Sequence, residues 1–190
     1  LMVEVAYSLN DNNELEITYR AETDKTTHVN LTNHSYFNLN NCLDTVKDHE
    51  VMIDADNVTR LKDNQIPDGE ILSVADTPFD FRVSKKVGAD IDQIDMGYDI
   101  NFVVNNYSGE LIRIASVYEE KSGRTMEVLT TEPGVQFYTA NYVDGVIGKS
   151  GIKYGMHSAL CLETQHYPDS PNKPSFPTTI LKPGEEYSSV

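Results

Sequence analysis

Four short stretches carry residue types that chemistry needs. NLTNHSYFNLNN, residues 30–41, holds His34 on an extended, strand-like segment. Strand interiors usually avoid Asn, so a face presenting Asn30, Thr32 and His34 does more than fill a core. An imidazole there is either a half-buried group bonded to a neighbour or an acid–base group in a cleft. LCLETQHYPDSPN, residues 160–172, sets Glu163 on a strand face shared with Ala159, Cys161 and Gln165. A carboxylate on a mostly apolar face costs stability unless it is paired or functional. MGYDINF, residues 96–102, bends at Gly97 and enters a strand, Ile100 to Val104, at Asp99; spacing alone makes Asp99 a turn residue. TTEPGVQFYTAN, residues 130–141, turns at Pro133-Gly134 and then puts Gln136 and Tyr138 on one face. An amide beside a ring suits a sugar: the amide reads hydroxyls and the ring covers apolar C–H faces.

Composition narrows the ligand. The 190 residues include 15 Lys plus Arg against 30 Asp plus Glu, a formal net charge of −15. Such a surface repels nucleic acid and anionic membranes and leaves a neutral ligand free to bind. There is no apolar run of membrane-spanning length and no leader-like start. Asn-x-Ser/Thr triplets at Asn30, Asn33, Asn57 and Asn106 therefore read as chance. Cys42 and Cys161 are too few for a disulfide framework and read as reduced thiols of a cytoplasmic protein. No glycine-rich phosphate loop, GxSxG elbow or CxxC pair occurs. Asp54-Ala55-Asp56 opens like a calcium loop, but Thr59 and Gln65 stand where glycine and glutamate are required. His28, His34, His49, His157 and His166 lack zinc-site spacing, so no metal or other cofactor is expected.

The elements that must position these residues are strands. Val3, Val5, Tyr7 and Leu9 alternate with polar neighbours, as do Leu15, Ile17, Tyr19 and Ala21, with a turn at residues 10–13 joining them. Val51, Ile53 and Ala55 continue the pattern, and residues 111–129 form a hairpin around Lys121-Ser122-Gly123-Arg124. Further strands run through Val135–Thr139 and Ala159–Gln165. The best helical segment is Phe81 to Asp92. Loops rich in Pro, Asp, Asn and Gly cover residues 63–69, 143–151 and 167–174. The pattern predicts one all-β domain over residues 1–190, an antiparallel sandwich or barrel with no dividing linker.

In their order along the chain, NLTNHSYFNL, GYD, EPGVQFYTAN and LETQHYPDSPN resemble the aldose 1-epimerase (galactose mutarotase) family. FDFR at residues 79–82 and ILKPGEEY at 180–187 add to the likeness. The resemblance implies a large antiparallel β-sandwich of the galactose mutarotase type, here incomplete at both ends. It spans roughly the C-terminal half to 60% of a typical member. It also implies cofactor-free interconversion of the α and β anomers of a free aldose such as galactose or glucose. Carried over position by position, His34 is the general acid, Glu163 the general base, and Asp99 and Gln136 bind the sugar. A carboxylate titrating near ~4.3 and an imidazole near ~6.5 can hold opposite protonation states near neutral pH.

The chain departs from the family pattern in three places. A further His and an Asn-Arg pair are expected upstream of NHSYFNL, and residues 1–27 do not supply them. Ile100 stands where a His often follows the Asp of the GYD block. The end lacks the final strand that the resemblance implies. The competing reading is a non-catalytic sugar-binding or regulatory module with the same fold. An epimerase for phosphorylated sugars would need a basic cluster near the cleft, and the motif blocks contain none. Oligomeric state is not encoded in any of these features.

Overall fold

Period-two alternation sends successive side chains to opposite faces, and nearly every alternating run in this chain is a strand. The computed structural model describes all residues except Asp63, Lys149 and Ser150. The loops expected over 63–69 and 143–151 therefore lie partly outside the described residues. Strands are numbered in chain order. The largest sheet holds β5 (Asn57–Leu61), β6 (Pro67–Ser73), β8 (Asp99–Val103), β11 (Gly134–Tyr138) and β14 (Cys161–Gln165), in the order β14-β11-β8-β5-β6. A second sheet holds β4 (Glu50–Ile53), β7 (Lys85–Lys86), β9 (Ile112–Glu119) and β10 (Arg124–Thr130), in the order β10-β9-β4-β7. A third joins β1 (Met2–Leu9), β2 (Leu15–Glu22) and β16 (Glu186–Ser189). Two short ribbons pair β3 (Thr27–His28) with β15 (Ile180–Leu181) and β12 (Val146–Ile147) with β13 (Lys153–Tyr154). All these pairings are antiparallel. No helix among the described residues is long and apolar enough to cross a membrane.

The main core lies between the two largest sheets and draws on both. Val51 pairs with Val117 and Ile53 with Ala115 across the second sheet. On the facing sheet, Ile100, Phe137 and Leu162 form one row, and Phe102 and Val135 belong to the next. Phe81 fills the space between with rings of Tyr98, Phe137 and Phe102 at 5.1, 5.3 and 6.3 Å. Burying side chains of this size contributes roughly 1.5–3 kcal/mol each. Ile53 is wholly buried. Ile53→Val is expected to cost about 0.5–1.5 kcal/mol in a urea titration.

The structure differs from the sequence expectations at several places. Phe81 to Asp92 is not an α-helix: it contains β7 and two 3₁₀ turns, Val87–Ala89 and Ile91–Gln93. A short segment carrying Gly88 has little intrinsic helicity. The Val87 N–H bonds instead to the His49 carbonyl at 2.9 Å, and Gly88 packs closely on Lys47. Residues 30–36 are extended but belong to no sheet; only Phe37 makes a bridge, to Leu160. The asparagines replace the missing ladder: Asn38 Nδ2 donates to the carbonyls of Asp44 and Ser158, both at 2.8 Å. The apolar face of β14 is the Leu160/Leu162 face, so Glu163 lies opposite the core rather than on it. β1 is a strand as expected, yet exposed along its whole length, because it pairs only with β2. β6 begins at Pro67, inside the expected loop.

Candidate active site

The faces of β8, β11 and β14 turned away from the core carry polar groups in register. Gln136 sits between Asn101 and Glu163, and Tyr138 sits between Asp99 and Cys161. The bend before Asp99 depends on Gly97 at φ +105°, where a Cβ would lie 2.6 Å from Asn141 Oδ1. This left-handed conformation and the crowding together require glycine. Gln136 Nε2 donates to Asp99 Oδ1 at 2.7 Å. Among the described residues, Gln136 Oε1 and Asn101 Nδ2 are buried without a hydrogen-bond partner. A buried polar atom left unpaired costs roughly 1–3 kcal/mol, which a ligand carrying both donors and acceptors would offset.

His34 reaches this sheet from the extended segment. Asn30 acts as a substitute strand residue: its Nδ2 donates to the His166 carbonyl at 2.9 Å, and its Oδ1 accepts the His166 N–H at 3.0 Å. Phe37 and Leu160 exchange backbone bonds of 2.8 and 2.9 Å at the other end. The segment is thereby laid beside β14. Its exposed positions, Asn30, Thr32, His34 and Tyr36, alternate with the half-buried ones. His34 Nε2 lies 3.4 Å from Glu163 Oε1. Tyr36 stacks on the His34 ring at 5.0 Å, while Phe37 enters the core. Tyr138 meets His34 edge-on at 5.9 Å. Burial pushes the Glu163 carboxyl above its ordinary value, neighbouring His34 opposes that shift, and Asp99 adds to it. A carboxylate raised toward neutral pH is better matched to proton abstraction than an ordinary one.

All four residues singled out from the sequence line one open cleft of about 410 Å³, together with Tyr36, Asn101, Tyr138 and Tyr142. Asn101 and Tyr142 were not expected. Asn101 is signalled by its alternation with Asp99 on β8; Tyr142 follows β11 in a loop and carries no sequence signal. A buried acid–base cluster nearby is likewise invisible in the sequence. Glu132, 2% exposed, accepts from His166 Nδ1 at 2.5 Å and from Tyr187 Oη at 2.9 Å. Burial works against ionisation of Glu132, and the hydrogen bonds from His166, Ser189 and Tyr187 outweigh it, holding the carboxyl below its usual value. This cluster joins the entry to β11, the exit from β14 and, through Asn30, the His34 segment.

Fold and site together define a class: an antiparallel β-sandwich with a His–Glu pair in a polar, aromatic-rimmed cleft on one sheet. A family model described as aldose 1-epimerase matches residues 1–190, and the chain belongs to that family. It is 49% identical to a galactose mutarotase of Bos taurus over 190 residues, covering 98% of this chain and 55% of the relative. It is 39% identical to an aldose 1-epimerase of Escherichia coli over 193 residues, covering 98% of this chain and 56% of the relative. Among solved structures, a GalM/aldose epimerase homologue from C. elegans superposes with a TM-score of 0.90 at 33% identity, over 98% of this chain and 57% of the other. The chain spans about half the length of the curated relatives it matches.

Proposed function

We propose that this protein interconverts the α and β anomers of a free aldose of the galactose or glucose type. The observation that carries this reading is the 3.4 Å approach of His34 Nε2 to Glu163 Oε1 on the cleft floor. The anomeric oxygen and the ring oxygen of an aldose share one carbon, so an acid and a base serving them must sit close together. Glu163 takes the proton of the anomeric hydroxyl while His34 gives one to the ring oxygen. The bond from the anomeric carbon to the ring oxygen breaks, and its electron pair stays with that oxygen. The open aldehyde turns about its bond to the next carbon. Reclosure with the proton transfers reversed yields the other anomer. Nothing is oxidised and no group is transferred, so the chemistry asks for no cofactor. Among the described residues no Lys or Arg lines the cleft, which favours a neutral sugar over a sugar phosphate. Reduced Cys42 and Cys161, both unpaired, fit a cytoplasmic protein.

Polarimetry of freshly dissolved α-D-galactose tests the proposal. Because the relatives are longer, the 190-residue chain and a form extended at its N terminus are assayed together. Faster approach to equilibrium with either supports it. Galactose binding by calorimetry without acceleration in either makes the protein a sugar-binding module and overturns the catalytic reading. Two further results are expected. Gln136→Ala removes one charge-assisted partner of Asp99 and a ligand contact, and should raise KM about tenfold with little change in kcat. The rate should fall on the acid side as Glu163 takes up a proton. Because the Glu163 carboxyl is raised in the fold, that limb should lie above the ordinary carboxylate range.

A further inference from the structure

We propose that the cleft floor also binds one soft divalent cation, such as Zn²⁺ or Cd²⁺, through His34, Cys161 and Glu163, in competition with the sugar. The competition rests on the proposed sugar cleft; the metal site rests on geometry alone. A ring nitrogen of His34, Sγ of Cys161 and a carboxylate oxygen of Glu163 all lie within 4.8 Å of one another. Zinc bonds of about 2.0–2.3 Å in tetrahedral geometry place ligand atoms roughly 3.3–3.8 Å apart. His34 Nε2 and Glu163 Oε1 are already at 3.4 Å. Closing the longest ligand–ligand gap by about 1 Å, through side-chain rotation of His34, completes the set.

The fold supplies these ligands for separate reasons. Cys161 and Glu163 are two apart on β14 and therefore project to the same side of the sheet; Glu163 lines the cleft, and Cys161 is buried just beneath it. Both are held by burial, at 0% and 8% exposure. The His34 side chain is 50% exposed on a segment outside the sheets, with its ring held by Tyr36 and Tyr138 rather than by the core. The open cleft leaves the fourth position to water. Burial, with Glu163 and Asp99 nearby, pushes the Cys161 thiol up to about 12, so only a thiophilic metal displaces its proton. One nitrogen, one sulfur and one oxygen ligand suit zinc or cadmium; magnesium and calcium demand oxygen ligands in larger number. On binding, the metal accepts the sulfur electron pair and the thiol proton leaves to solvent. The metal then occupies both the acid and the base, so it acts as an inhibitor and not as a cofactor.

The test is an ultraviolet titration of the 190-residue chain with Cd²⁺, read by the thiolate-to-metal charge-transfer absorption. One equivalent should bind with a band from a single thiolate. Cys42→Ser should keep the band and Cys161→Ala should lose it. Excess galactose should weaken the apparent cadmium affinity. The His34→Ala variant, altered at an exposed position, should keep the fold and bind Cd²⁺ at least about tenfold more weakly. That arm decides the matter even if Cys161→Ala fails to fold. Absence of the band, its loss in Cys42→Ser, or an unchanged affinity in His34→Ala would overturn the proposal. Absorption is the readout, so a chain without mutarotase activity still tests the metal site.

Discussion

Glu163→Gln is expected to slow mutarotation about 10²–10⁴-fold, the usual range for loss of a general base. The substitution keeps the side-chain volume and an oxygen facing His34, and it removes only the capacity to take a proton. Glu163 lies opposite Gln136 in the β11–β14 ladder, so the backbone has no reason to shift. The loss should fall on kcat, with KM changed little, because the interaction removed belongs to the transition state. The acid limb of the pH profile should disappear with it. His34→Asn should produce a loss of similar size, since the ring oxygen then leaves without its proton donor. The double variant should lose little more than the slower single one, because acid and base act as a unit. Full activity in Glu163→Gln would mean the base is another group. A rise in KM alone would reassign Glu163 to sugar binding.

His166→Ala is expected to destabilise the fold by about 3–5 kcal/mol in urea, the cost of leaving a buried charge without its partner. The charge is Glu132, which keeps only its bonds from Tyr187 and Ser189 once the imidazole is gone. The backbone pairing of residue 166 with Asn30 survives the substitution, so the effect isolates the side chain. The pH dependence follows from the direction of the Glu132 shift. A carboxyl held below its ordinary value stabilises the fold above about pH 4.3 and loses that contribution as pH falls through the folded value. The deficit of His166→Ala should therefore be largest near neutral pH and shrink in acid. A deficit independent of pH would mean that packing, and not the buried carboxylate, sets the loss.

Much of this molecule is legible in its sequence, for a simple reason. Strand faces depend on residues two apart, so alternation reads them directly; β1, β2, β9, β10, β11 and β14 are all visible this way. Turns at 10–13 and 121–124 follow from their local residues, and the hairpins they predict are present. The motif blocks carried His34, Glu163, Asp99 and Gln136 to one family, and all four line one cleft. Other features had no local signature. Phe81–Asp92 has helical spacing, but the N–H of Val87 is taken by the carbonyl of His49, far away in the sequence. The asparagines of residues 30–38 look misplaced in a strand until the carbonyls they bond, at Ser158 and His166, are known. Local pattern was enough for the long alternating strands and their hairpins, and the family resemblance supplied the residues of the site; the face that Glu163 occupies and the short strands came only from the folded chain. Which residues touch also came from the folded chain: His34 with Glu163, and Glu132 with His166. Those contacts depend on strand order and on backbone bonds between distant segments, which no pattern of near neighbours encodes.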